Sequence, residues 1–207
     1  AQQSISQKDQ AYLYSYFVNN GEDGFHLAYS LDGYKWEILN NNKSFLTPTV
    51  GNDKLMRDPC IIYGPDNKFH MVYTVSWRER VIGYSSSEDL INWSDQLEIP
   101  VMRHEKFALN CWAPEIFYDS DSESFIIFWS TTIPGRFEET DHSGDSIDIH
   151  SPLRFGKNKN LNLTYNHRLY FTTTKDFEDF SETKLFFDQG FNAIDGMTLF
   201  LPHEIII

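Results

Sequence analysis

The chain has 207 residues, with 30 acidic against 17 basic side chains and a formal net charge of −13. A chain of this length can bury a sizeable core as one domain or as one large part of a domain. The acidity argues against binding nucleic acid or an anionic membrane, because those affinities rest on clustered Lys and Arg. No apolar run approaches the roughly 18 residues that a membrane span requires.

The two cysteines and the first residues bear on the cellular compartment. Cys60 and Cys111 are too few for a disulfide framework, and both lie in apolar, strand-like contexts beside a proline, which predicts buried free thiols. Residues 1–10 are predicted to be an N-terminal extension. Their first three residues, Ala-Gln-Gln, are compatible with a terminus left by signal cleavage, so we expect a secreted or periplasmic protein.

In chain order, short runs of Tyr, Phe, Ile and Val alternate with turns of Asn, Asp, Gly and Ser, and long amphipathic helical patterns are absent. This predicts an all-β fold. A unit made of a strand, a turn, a second strand and a turn ending in an aromatic residue recurs. The copies are residues 12–36 ending in Trp36, residues 58–93 ending in Trp93, residues 113–180 ending in Phe180, and a fourth that begins at residues 192–195.

Four-stranded units of roughly 40–60 residues are typical of β-propeller blades. A β-sandwich is the alternative, but it does not explain the repeated aromatic-ended turn. The third copy is longer because of an insertion near Pro134–Tyr165, which is predicted to be a long loop. The first copy lacks its innermost strand and the last copy has only that strand. We therefore predict that residues 11–207 form an incomplete propeller of about three blades and a partial blade.

Carboxylates recur on or beside the predicted innermost strands, at Asp58, Glu115 and Asp195. Inner strands surround the channel of a propeller, so these three side chains are expected to converge. Glycoside hydrolysis uses two carboxyl groups, one protonated and one ionised, and a third carboxylate nearby raises the pKa of the acid. A simple turn is the other interpretation of each residue, because Asp-Pro and Ala-Pro-Glu are common in turns.

Four motifs support a more specific interpretation. They are Arg57–Ile62 followed by Phe69–Thr74, then Ser86–Trp93, then Trp112–Ile116, and finally Phe191–Asp195. In order and spacing they resemble glycoside hydrolase family 43, whose members are five-bladed propellers that cleave arabinose- or xylose-containing polysaccharides with inversion. The resemblance covers residues 11 to 195.

The resemblance implies roles for individual residues. Asp58 would be the general base that activates water, Asp195 would tune the pKa of the acid and orient it, and Trp112 would form the floor of the sugar site. The family's general acid is a Glu in a later blade within a Glu-Gly-Pro-like motif. No such motif occurs in this sequence, so the chain is expected to be truncated at its C-terminus and to lack its acid. Glu115 is the substitute acid or, closer to its role in the family, a substrate-binding or supporting residue.

Three further residues keep two interpretations each. Trp77 is either a sugar subsite or a core residue. Arg57 either lowers the pKa of Asp58 or forms a surface salt bridge. His167 either faces the channel, where members of the family hold a central ion through a His, or is a hydrogen-bonded structural residue. The reaction requires no cofactor. The resemblance implies a structural calcium ion at the propeller centre, and the sequence itself predicts no metal-ligand set.

The preferred hypothesis is an inverting glycosidase acting on plant polysaccharide or oligosaccharide that contains arabinose or xylose. The first alternative is a carbohydrate-binding propeller without turnover, which the missing acid favours. The second is a sialidase-like propeller, because Ser30-x-Asp32-Gly33-x-x-Trp36 is close to an Asp-box turn. That box is one residue short, and three inner-strand arginines are not evident. The sequence does not indicate any protein partner.

Overall fold

The structure is a computed structural model that describes residues 10–137, 165–201 and 204–206. Most of the predicted N-terminal extension and most of the predicted loop near Pro134–Tyr165 lie outside these residues. The described part consists of β-strands joined by turns, with one short turn of 3-10 type at Asn40–Asn42. No helix in this part is long and apolar enough to cross a lipid bilayer.

Three antiparallel sheets follow one another along the chain, and within each sheet consecutive strands are hydrogen-bonded neighbours. A two-stranded hairpin follows the third sheet. The first sheet contains β1 (Tyr12–Phe17), β2 (Phe25–Ser30) and β3 (Glu37–Ile38). The second contains β4 (Arg57–Tyr63), β5 (Phe69–Thr74), β6 (Ile82–Ser87) and β7 (Leu97–Ile99). The third contains β8 (Trp112–Asp119), β9 (Ser124–Thr132), β10 (His167–Thr174) and β11 (Lys184–Phe187), and the hairpin contains β12 (Leu199–Leu201) and β13 (Glu204–Ile206).

A hydroxyl-x-Asp turn follows one strand of each sheet and shows which strands correspond. After β6, the Ser87 hydroxyl accepts the N–H of Leu90 at 2.9 Å, and Asp89 Oδ1 accepts the N–H groups of Ile91 and Asn92. These local hydrogen bonds pair backbone N–H groups that a tight turn would otherwise leave unpaired. The same bonds form after β2 and after β10, at Ser30, Asp32, Thr174 and Asp176.

The strands β2, β6 and β10 are therefore equivalent, and so are β1, β5 and β9. The inner strands β4 and β8 have no counterpart in the first sheet, which confirms that its innermost strand is absent from the described residues. The register agrees: Tyr12 pairs with Ser30 as Phe69 pairs with Ser87 and as Phe125 pairs with Thr174.

The sheets pack face to face in chain order. Between the first and second sheets lies a core that includes Phe25, Met71 and Tyr73, all fully buried. Between the second and third sheets lies a larger core that includes Trp129 and Phe125. The succession of three sheets, each packed on the next, confirms the all-β propeller-type fold, and the two-layer β-sandwich alternative is wrong.

Two details complete the fold. Residues 192–198 belong to no strand, so the predicted inner strand of the fourth unit is not formed there. Instead, the Asn192 side chain accepts the backbone N–H of His167, and the Ala193 N–H donates to the His167 carbonyl, which ties this segment to the start of β10. Cys60 and Cys111 are both free thiols, as predicted, with Cys111 buried and Cys60 half-buried.

Candidate active site

A backbone irregularity near the start of β4 and of β8 positions the first residues of the site. Asp58 and Ala113 both have left-handed backbone conformations, with φ of 49° and 46°, and both precede a proline. The ladder to the neighbouring strand shifts at each of them, between Arg57 and Cys60 in β4 and at the corresponding place in β8. A β-bulge of this kind re-aims the side chain that it carries.

This alignment corrects the predicted correspondence of the three carboxylates. Ala113, and not Glu115, occupies the place of Asp58 in the next sheet, because the bulge and the following proline coincide there. Asp195 shares the left-handed backbone, with φ of 56°. Glu115 lies two residues further along its strand and Asp195 lies outside any strand, so neither occupies the place of Asp58.

Asp58 is half-buried, and a hydroxyl from the neighbouring strand holds it. The Thr74 hydroxyl donates to Asp58 Oδ2 at 3.2 Å, and Thr74 Oγ1 in turn accepts the Ala113 N–H at 2.9 Å. Burial raises the pKa of Asp58, and the charge of Asp195 adds to the rise. Arg57, Thr74 and the Ala113 N–H act in the opposite direction, but burial outweighs them.

The charge of Asp195 thus acts on the ionisation of Asp58, although burial is the larger cause of the raised pKa. Their surroundings differ, since Asp58 is half-buried and Asp195 is exposed. A pair of carboxyl groups in unequal environments is the arrangement from which an enzyme obtains one group that is ionised and another whose pKa is displaced.

Glu115 has a different partner. The Cys60 thiol donates to Glu115 Oε2 at 3.3 Å across the boundary between β4 and β8. Burial raises the pKa of Glu115, and the thiol bond opposes this rise. Burial, together with the Glu115 charge, also raises the pKa of Cys60, so this thiol stays protonated and remains a donor.

Aromatic rings form a wall beside these carboxylates. The Trp112 indole N–H donates to the Trp77 carbonyl at 3.1 Å, and the two rings are nearly perpendicular with centroids 5.4 Å apart. Tyr165 and His167 lie 4.9 Å and 5.2 Å from the Trp112 ring. The structure therefore brings together Trp77, Trp112 and His167 as predicted site residues, and it adds Tyr165.

Arg57 is held by aromatic rings and an amide, and it forms no salt bridge with another residue of the described ranges. Its guanidinium carbon lies 4.6 Å from the centroid of Phe17 and 4.5 Å from that of Trp77. Asn20 Oδ1 accepts hydrogen bonds from both Arg57 Nη1 and the Trp77 indole, each at 3.1 Å. Sequence reasoning missed Phe17 and Asn20, and the only signal for Asn20 is its place in an Asn-Asn-Gly turn after β1.

His167 is buried and electrically neutral. Its Nδ1 and its backbone N–H both contact Asn192 Oδ1, at 3.2 Å and 2.6 Å, and burial lowers its pKa to about 4. Its Nε2 has no hydrogen-bond partner in the described part of the chain. Calcium takes oxygen ligands, and the groups around this ring are the aromatic side chains of Trp112 and Tyr165 and one side-chain oxygen, Asn192 Oδ1. Within the described ranges no three His, Cys, Asp or Glu side chains are grouped to hold a metal ion.

Comparisons with known proteins place these features in a family. The chain is 21% identical over 181 residues to an alpha-L-arabinofuranosidase of Bifidobacterium longum subsp. longum, which covers 80% of this chain and 16% of that protein. The crystal structure of an alpha-L-arabinofuranosidase from Lactobacillus brevis matches with a TM-score of 0.48 and 16% identity, over 72% of this chain and 42% of that one. A family 43 glycoside hydrolase from Bacillus licheniformis matches with a TM-score of 0.47 and 19% identity, over 71% of this chain and 25% of that one.

The chain thus spans less than half the length of each of these relatives. A family model described as "Probable glycosyl hydrolase domain", of the type related to glycoside hydrolase family 43, matches residues 7–204. This match includes both β-bulges, both tryptophans of the wall and all three predicted carboxylates. The chain belongs to the glycosyl hydrolase domain family related to family 43.

Proposed function

We propose that this chain contains the general base, and the residues around it, of the active site of an inverting glycoside hydrolase. The proposed substrate is arabinose- or xylose-containing oligosaccharide or polysaccharide of plants. The observation that carries the proposal is the half-buried Asp58 carboxylate, which lies at the β-bulge of an inner strand, is held by the Thr74 hydroxyl and feels the charge of Asp195. The arabinofuranosidase named above supports arabinose as the sugar. Because such polymers lie outside the cell, we also propose a secreted or periplasmic location.

In the proposed reaction Asp58 is the general base. Its carboxylate removes a proton from a water molecule while the water oxygen attacks the anomeric carbon on the face opposite the leaving group. The glycosidic bond breaks as an acid protonates the departing oxygen, so the configuration at the anomeric carbon inverts. The negative charge of Asp195 keeps a neighbouring carboxylic acid protonated by raising its pKa. We assign the acid itself to a residue outside those described, and Glu115 to site support through Cys60.

The aromatic wall is proposed to bind the sugar. A tryptophan face stacks on the apolar face of a sugar ring, and Trp112 and Trp77 supply two such rings, both half-buried. Arg57, fixed by Asn20 and the neighbouring rings, presents donors for sugar hydroxyl groups. The neutral His167 packs against Trp112 and keeps that ring in place.

The test uses 2,4-dinitrophenyl glycosides of arabinofuranose and xylose, because so good a leaving group departs with little help from an acid. Asp58→Asn should lower kcat/KM by about 10²- to 10⁴-fold, the range of general base catalysis. Asp89→Asn, in an exposed turn, is the matched control and should leave turnover unchanged. Proton NMR should show that the first-formed sugar has the inverted anomeric configuration. Full turnover by Asp58→Asn, or retention of configuration, would contradict the proposal.

The aromatic wall also favours a second candidate, a carbohydrate-binding domain without turnover. In that case arabino- and xylo-oligosaccharides would bind to the chain, no dinitrophenyl glycoside would be cleaved, and Trp112→Ala would weaken binding while Asp58→Asn would not. Calorimetric titration with these oligosaccharides, run beside the hydrolysis assay, distinguishes the two candidates.

A further inference from the structure

We propose that Thr74 is a positioning residue for Asp58: its hydroxyl holds Oδ2 of the carboxylate, so that Oδ1 is the oxygen that takes the proton from water. This inference rests on the proposed function of Asp58 as the base. It adds a residue that has no carboxylate or aromatic group and that gives no catalytic signal in the sequence.

The direction of the hydrogen bonds follows from counting protons. A hydroxyl has one proton to donate. The Ala113 N–H is a donor and points at Thr74 Oγ1, so that contact uses a lone pair of the oxygen. The Thr74 proton remains, and it lies toward Asp58 Oδ2. Because the Thr74 side chain is only 2% exposed, water does not compete for this proton.

This arrangement favours the ionised form of Asp58. A hydrogen bond donated to a carboxylate stabilises its charge, whereas burial and the nearby Asp195 destabilise it. The other charged group acting on Asp58 is Arg57, on the same strand, which also favours ionisation. The Ala113 N–H also favours ionisation. Thr74 donates its hydrogen bond to one defined carboxylate oxygen, Oδ2, so it sets orientation as well as charge.

The repeated architecture separates this role from a general requirement of the fold. Thr74 is the counterpart of Phe17 in the first sheet and of Ser130 in the third, since each lies at the same register position of its strand. Phe17 contacts Arg57 in the next sheet through its ring, without any hydroxyl. The Ser130 hydroxyl is buried and has no hydrogen-bond partner in the described ranges. A hydroxyl at this position is therefore not needed to pack one sheet on the next. At Thr74 its role is to hold the Asp58 carboxylate.

The test compares Thr74→Val, which keeps the shape but removes the hydroxyl, with Thr74→Ser, which retains it. In Thr74→Val, kcat/KM for the dinitrophenyl arabinofuranoside should fall by about 10- to 100-fold, mainly through kcat, because the base is misplaced. The acidic limb of its pH profile should move to higher pH. Thr74→Ser should behave like the wild type, and Ser130→Ala is the matched control from the third sheet.

A second measurement does not depend on turnover. In the full chain with ¹³C-labelled aspartate, the Asp58 carboxyl carbon should titrate at higher pH in Thr74→Val than in the wild type or in Thr74→Ser. If Thr74→Val does not fold, as judged by near-ultraviolet circular dichroism, Thr74→Ala takes its place.

The outcomes distinguish this inference from the proposal on which it rests. An unmoved Asp58 titration together with a wild-type pH profile in Thr74→Val would overturn the role of Thr74. Wild-type turnover by Asp58→Asn would overturn Asp58 as the base, whatever the Thr74 variants show. A displaced titration with loss of kcat, restored in Thr74→Ser, supports both.

Discussion

Ala113 occupies in the third sheet the position that Asp58 occupies in the second. Both have left-handed backbones, both precede a proline, and the strand ladder shifts at both. The bulge is therefore a feature of the blade, and the side chain that it carries is what differs. In the second sheet that side chain is the Asp58 carboxylate, which Thr74 holds. In the third sheet it is the methyl group of Ala113, and the backbone N–H of Ala113 donates to the same Thr74.

Ala113→Gly should stabilise the protein. A left-handed backbone costs an alanine about 1–2 kcal/mol, and glycine avoids this cost while losing about 0.5–1 kcal/mol of chain entropy, so a net gain of about 0.5–1 kcal/mol is expected. Urea unfolding measures the change. The matched control, Ala28→Gly within β2, should instead destabilise by about 0.5–1 kcal/mol. Equal effects of the two substitutions would contradict the left-handed geometry at Ala113.

Gly83→Ala should destabilise the second sheet. Gly83 pairs directly with Tyr73, and a Cβ at Gly83 would lie 2.2 Å from carbons of the buried tyrosine ring. The ring must move, at a cost of about 1–3 kcal/mol. The same substitution in a Tyr73→Leu background should cost less, because the ring is gone, and a double-mutant cycle in urea gives the coupling. Strict additivity would refute the contact.

Ser87→Ala should also destabilise, through the turn after β6. The Ser87 hydroxyl accepts the Leu90 N–H and donates to the Asn92 carbonyl at 2.7 Å, and the residue is buried. Leaving those backbone groups unpaired should cost about 1–3 kcal/mol. Ser86→Ala, next to it in the same strand, should change stability by less than about 0.5 kcal/mol. Thermal unfolding of the two variants side by side is the measurement.

The pH dependence of stability should have opposite signs at two aspartates. Burial raises the pKa of Asp58 in the folded chain. The stability that Asp58 contributes is therefore fully present below its pKa in the unfolded chain, and it is lost as pH rises through its pKa in the folded chain. Hydrogen bonds from the backbone and side chain of Asn92 lower the pKa of Asp89 to about 2, so its contribution is present above the unfolded pKa and is lost as pH falls toward 2.

At pH 7, therefore, Asp58→Asn should raise the melting temperature and Asp89→Asn should lower it. Both differences should shrink on acidification, the first as wild-type Asp58 becomes protonated and the second as Asp89 does. Calorimetric scans from about pH 3 to about pH 8, a range that includes the ordinary carboxyl pKa values, provide the measurement. A lower melting temperature for Asp58→Asn at pH 7 would show that burial does not dominate at that carboxyl.

The strands and turns could be predicted from the sequence because their determinants are local. The alternation of Phe25–Ser30 and the Ser87-x-Asp89 pattern act within a few residues, and the structure shows the strand and the turn at those places. The recurrence of carboxylates in successive units also predicts that Asp58, Glu115 and Asp195 converge, and this stays a prediction. In the structure the charge of Asp195 adds to the raised pKa of Asp58.

What the sequence did not show depends on contacts between strands and between sheets. Thr74 and Asn20 are ordinary strand-end and turn residues by pattern. Thr74 joins the site because Asp58 at the bulge of β4 accepts its hydroxyl, and Asn20 joins it because the loop after β1 packs on β4. The sequence pattern matches Glu115 to Asp58 because it does not show the bulge in either strand. The coincidence of Asp58-Pro59 with Ala113-Pro114 is the signal that would have aligned the two strands correctly.

Each sheet is a meander of consecutive strands, and this has a consequence for the order of folding. In the second sheet, closing a hairpin joins residues near in sequence, so little chain entropy opposes it. The bond between Thr74 and Ala113 instead joins two sheets and forms only when completed sheets dock. We therefore expect the site to assemble late in folding. Substitutions of site residues should then accelerate unfolding, whereas substitutions within one sheet should slow folding.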